Sequence, residues 1–70
     1  MQIKYLIDTS QIAYVSNIIE SYEDVALMST IKKVENRSLI LFRIADDFME
    51  IFNKIVESLR TESIYIEKEV

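Results

Sequence analysis

Glycine, proline, cysteine, histidine and tryptophan are all absent from these 70 residues. Without glycine there can be no Gly-rich loop to cradle a phosphate. Any turn that needs a left-handed residue must use Asn, Asp or Ser instead. Without cysteine there is no disulfide, and without Cys or His there is no ligand set for structural zinc. The same two absences remove the usual nucleophile–base dyads, so carboxylates are the only catalytic candidates. No apolar run approaches a membrane span, and the first residues do not have the basic, apolar, small-residue order of an export signal. The expectation is a cytoplasmic, non-enzymatic protein with no cofactor, no metal and no membrane contact.

Half of the residues are hydrophobic, too many for a disordered chain, and the length suits one domain over residues 1–70. Eight basic against twelve acidic residues give a net charge of −4. That field repels phosphate backbones, so nucleic acid is not an expected partner. A domain this small buries a thin core and has no covalent staple, which leaves association as the remaining source of stability. A homo-oligomer follows, most simply a dimer.

The chain reads as one half written twice. Shifted by 37 residues, Ile3, Tyr5 and Ile7 fall on Ile40, Phe42 and Ile44. Ile12, Val15, Ile18, Ile19 and Tyr22 fall on Met49, Phe52, Ile55, Val56 and Leu59, and Leu27 falls on Ile64. Each half goes from spacing two to helical spacing and back, so each is a strand–helix–strand unit. The strands are expected over about Gln2–Ile7, Val25–Lys33, Ser38–Ile44 and Ser63–Glu69, the helices over about Thr9–Glu23 and Phe48–Arg60. Asp8 and Gln11 are placed to cap the first helix, and Asp46, Asp47 and Glu50 the second. The helix stripes are Ile12, Val15, Ile18, Ile19 and Tyr22, then Phe48, Ile51, Phe52, Ile55 and Leu59. Glu35-Asn36-Arg37 is the hairpin signal, with Asn as the left-handed residue.

Two such units in series predict an α+β domain, a ferredoxin-like βαββαβ sandwich. Its four-stranded antiparallel sheet has order 4-1-3-2, with two helices on one face. The first and third strands are central, and charged residues such as Lys32, Lys33, Glu67 and Glu69 mark the other two as edges. The repeat places Ile3, Tyr5, Ile7, Leu27, Ile40, Phe42, Ile44, Ile64 and Ile66 toward the helices. Lys4, Leu6, Met28, Thr30, Leu39, Leu41, Arg43, Tyr65 and Glu67 fall on the open face. Leu6, Met28, Leu39, Leu41 and Tyr65 are therefore the candidate subunit interface. The alternative is an open face that merely tolerates a few leucines. Tyr5 and Phe42 point inward, which counts against stacking of RNA bases.

Other clusters have simple explanations. Helix capping accounts for Asp46 and Asp47. Glu20, Glu23 and Asp24 could share a hard cation but read as solvated surface. Lys32, Lys33, Arg37 and Arg43 give a local basic area that ordinary solvation explains. Asp8, Thr9 and Ser10 offer hydroxyls and free amides to an anion or carboxylate, and capping is the competing reading.

Ile12 to Ala26, followed by Ser29-Thr30-Ile31, resembles a family of small bacterial domains of unknown function. There a tyrosine-containing helix ends in Glu-x-Tyr and an acidic residue before a strand ending in Arg-Thr. Glu20, Tyr22 and Thr30 match that pattern, while Asp24 and Ser29 stand where the family has Gly and Arg. The element order is also similar to the ACT regulatory domains. That resemblance implies side-by-side pairing and an amino-acid site near the first strand–helix loop, here Asp8, Thr9 and Ser10. The expected function is an interaction or regulatory module that homo-oligomerises through its sheet. The alternative is an ACT-like sensor of an amino acid or anion at a subunit interface.

Overall fold

The computed structural model describes residues 1–22 and 25–69. Alternating apolar residues form strand β1 over Gln2–Asp8, and a 3-10 turn at Thr9–Gln11 leads into helix α1, Ile12–Glu20. Strands β2, Ala26–Val34, and β3, Arg37–Ile44, make a hairpin. A second 3-10 turn, Asp46–Phe48, precedes helix α2, Met49–Thr61, and strand β4 follows over Ile66–Lys68.

The fold is α+β, with one antiparallel sheet of order β2-β3-β1-β4. Counted from the β4 edge, that order runs 4-1-3-2. β1 pairs with β3 from Gln2 opposite Arg43 to Asp8 opposite Arg37, and with β4 from Tyr5 opposite Lys68 to Ile7 opposite Ile66. One buried cluster joins Tyr5, Ile7, Ile40, Phe42, Ile44 and Ile66 of the sheet to Val15 and Ile19 of α1 and Phe52, Ile55, Val56 and Leu59 of α2. Both helices therefore cover the same sheet face.

Three aromatic rings lie at the centre of this core. Tyr5 meets Phe42 edge-on at 5.7 Å between centroids, and Phe52 lies 5.2 Å from Phe42 and 6.1 Å from Tyr5. Edge-to-face and tilted pairs of this kind add to simple burial. Burial pushes the Tyr5 phenol above its ordinary value of 10.0, with Arg60 opposing the shift and Glu57 adding to it. The sign follows directly. Above about pH 10 the unfolded chain gives up this proton while the fold keeps it, so stability falls as pH rises. Below about pH 10 the contribution is fully present. The melting temperature is expected to drop between about pH 9 and 11, and the drop should shrink in Tyr5→Phe. An equal drop in that variant would assign it to other groups.

The structure corrects several expectations. The first helix ends at Glu20, and Ser21 and Tyr22 form a turn. Glu23 and Asp24, expected at the helix end and in its carboxylate cluster, lie outside the described residues. α1 has 9 residues and α2 has 13, so the 37-residue match fails beyond the first helix. Tyr22 is exposed where its counterpart Leu59 is buried. β2 enters the sheet one residue out of phase with the match. Leu27 is 68 % exposed on the open side, while Met28 lies opposite Phe42 and packs on the core. Thr30, opposite Ile40, shares Met28's face. On α2, Val56 is buried and Ile51 is exposed.

Capping differs as well. Neither Asp8 nor the Asp46-Asp47 pair makes a side-chain cap, because each helix begins through a 3-10 turn that shifts its first residue along to Ile12 or Met49. In the β2–β3 turn the left-handed residue is Glu35, with φ 58°, rather than Asn36.

Candidate functional site

The loop after β1 and the tip of the β2–β3 hairpin meet at one end of the sheet. The Thr9 amide donates to the Asn36 carbonyl at 2.8 Å, extending the β1–β3 ladder past Asp8. The hydroxyls of Thr9 and Ser38 are 2.8 Å apart. Ser38 is the one buried polar residue among those described, and Thr9 supplies its partner. Asp8, Thr9 and Ser10, with Lys33, Glu35 and Asn36, line an open depression of about 500 Å³. An adjoining hollow of about 320 Å³ is lined by Asp8, Val34, Glu35, Asn36 and Arg37. Ser10 donates to Asp8 at 3.4 Å, so the carboxylate is held within its own loop. One lysine and two carboxylates line the larger depression, so its lining is of mixed charge.

The open face holds the remaining interface candidates. Leu6 lies opposite Leu39 on one side and Glu67 on the other, and Leu41 lies opposite Lys4 and Ser29. Leu39 is only 4 % exposed, and Leu6, Leu41 and Tyr65 are half-buried. The Arg37 guanidinium sits 3.7 Å above the Tyr65 ring, a cation–π contact, and the Tyr65 hydroxyl donates to Glu67. That hydrogen bond chiefly raises the Tyr65 pKa. The leucine patch is therefore largely covered by its own neighbours. Exposed apolar side chains concentrate on β2 instead: Leu27, then Ile31 at 46 % and Val34 at 48 %.

Other singled-out residues stand apart. Glu20 accepts from Ser16 at 3.3 Å on the surface of α1. Tyr22 and Thr30 are exposed and share no hydrogen bond with Glu20 among the described residues. Tyr14 donates to Glu62 at 2.6 Å, tying α1 to the end of α2 and raising the Tyr14 pKa. Asp46 pairs with the amino group of Met1 at 3.7 Å. Among the described residues no three carboxylates cluster as a metal site would need.

Two features escaped the sequence reading. Ser38 shares the spacing-two phase of Ile40, Phe42 and Ile44, a signal that places it inward. The bond from Arg60 Nε to the Ile66 carbonyl, 3.3 Å, links residues whose meeting depends on where α2 ends. No family model matches the chain, and neither a curated protein nor a solved structure matches it.

Proposed function

We propose that this chain is a non-enzymatic, cytoplasmic interaction or regulatory module with a ferredoxin-like, ACT-like architecture that homo-oligomerises through its sheet. It belongs with small bacterial domains of related pattern. One observation carries the assembly: Leu27, Ile31 and Val34 project from the same edge strand, each at least 46 % exposed. Exposed apolar side chains spread along an unpaired edge favour a partner over water. Sedimentation of the wild-type chain at high micromolar concentration should show a dimer. Leu27→Glu should weaken the dimer at least tenfold, about 1.4 kcal/mol. A monomeric wild type would overturn the reading.

A second reading is a sensor of an amino acid or similar anion, favoured by the depression where Asp8, Thr9 and Ser10 face Lys33 and Glu35. A thermal-shift screen of amino acids and inorganic phosphate separates the two. A saturable rise, lost in Lys33→Ala, supports the sensor. A flat response leaves the interaction module alone.

A further inference from the structure

The two edges of the sheet are unequally protected. In an antiparallel ladder, alternate residues bond to alternate neighbours. The Ile44 amide donates to the Met1 carbonyl, so even-numbered residues of β3 bond toward β1 and odd-numbered ones toward β2. The odd-numbered Leu41 and Arg43 lie opposite Ser29 and Leu27 of β2, which therefore direct their backbone groups at β3. Ala26, Met28 and Thr30, between and beside them, turn their N–H and C=O groups outward. Among the described residues no side-chain hydrogen bond falls on them.

The other edge is guarded. β4 has three residues, and the carbonyl of Ile66 already accepts from Arg60. The far half of β2 is guarded too, by Lys32, Lys33 and a bulge between Thr30 and Lys32. Only Ala26–Thr30 carries neither charge nor irregularity.

We infer that Ala26–Thr30 is a strand-addition edge for a second copy of this chain, paired antiparallel about a two-fold axis at Met28. This rests on the sheet-mediated assembly proposed above and names its surface. That register sets Ala26 opposite Thr30 of the partner subunit and Met28 opposite its own copy. It uses all three outward residues of each chain, for about six backbone hydrogen bonds. The count of outward residues used selects Met28 as the centre, and charge excludes the registers farther along β2. A two-fold centred on Lys32 or Lys33 would set like charges face to face, whereas the five paired residues are uncharged. The result is one continuous sheet, four strands from each copy.

Area also favours this edge. A stable interface removes about 800 Å² from each partner, more than five strand residues supply alone. A groove of about 220 Å³ runs beside the same edge, lined by Ser16, Ile19 and Glu20 of α1 and by Ala26, Leu27 and Met28. Met28 lies on the helix side of the sheet, so the partner copy's equivalent side chain meets the mouth of this groove and brings α1 into the contact.

The test combines sedimentation of wild type, Thr30→Pro and Leu41→Glu with amide exchange of the wild type across a dilution series. Proline at Thr30 removes an outward amide that β3 does not use, so the fold is kept. Thr30→Pro should weaken the dimer at least tenfold with an unchanged far-UV spectrum. Leu41→Glu should change dimerisation less than threefold. The Met28 and Thr30 amides should exchange at least tenfold more slowly in the dimer than on dilution. A folded Thr30→Pro that still dimerises overturns the edge, as does a dimer dispersed by Leu41→Glu alone. If Thr30→Pro fails to fold, exchange decides, and concentration-independent Met28 exchange in a dimeric wild type overturns the edge while leaving assembly standing. A monomeric wild type overturns both.

Discussion

Phe42→Ala is expected to lower the melting temperature by about 15 °C or more. Phe42 is fully buried in the C-terminal half of β3, opposite Ile3 and Met28, with its ring against both Tyr5 and Phe52. Truncating a buried Phe costs about 3–5 kcal/mol through lost transfer energy and an unfilled cavity. A chain of this length has about 4–10 kcal/mol in total. Neighbours can collapse only partly into the gap, because Phe42 is held by two strands and a helix rather than one. Urea titration should show the midpoint falling steeply, with Phe42→Leu losing well under half as much. A loss below about 5 °C would mean that the three rings do not organise the core.

The paired substitution Ser63→Gly and Glu35→Gly is expected to raise the melting temperature by about 8–16 °C. Both residues have positive φ, 66° at Ser63 and 58° at Glu35. A side chain there costs about 1–2 kcal/mol, part of which glycine's greater unfolded freedom takes back. About 1 kcal/mol should remain at each site, and the two turns are separate, so the gains add. Ser63 ends α2 in a Schellman motif. Its amide donates to the Arg60 carbonyl at 3.1 Å, and the Ile64 amide donates to that of Leu59 at 3.2 Å. Ile64 and Leu59 are both buried, which completes the motif's apolar contact. Calorimetry of the two single variants and the double tests this. A fall for Ser63→Gly would show that its side chain stabilises the turn.

Period and phase made much of the fold legible. Ile3, Tyr5 and Ile7 against Ile40, Phe42 and Ile44 located both inner strands and their covered face. Val15 and Phe52 marked the helix stripes in the same way. The failures gather where a length difference resets the phase. Strand periodicity has two states, so one residue of slip sends Leu27 outward and Met28 inward. Nothing in Ala26-Leu27-Met28 itself distinguishes the two, since all three are apolar. The Asp8–Ser10 loop was legible as a polar break. Its partnership with Lys33, Glu35 and Asn36 was not, because it depends on β1 and β3 lying side by side. The unequal edges were least legible, since Arg60's role comes from the backbone geometry at the end of α2.

The ring cluster also fixes how this protein reports on itself to light. With no tryptophan, its near-ultraviolet signal comes from four tyrosines and three phenylalanines. Tyr14 and Tyr22 are exposed and Tyr65 is half-buried, so Tyr5 is the one buried tyrosine, packed against the Phe42 and Phe52 rings. Near-ultraviolet dichroism in the tyrosine band is therefore weighted toward the packing of Tyr5 at the junction of β1, β3 and α2, with Tyr65 and Tyr14 adding the signal of their contacts with Arg37 and Glu62 (an optical probe that needs no label).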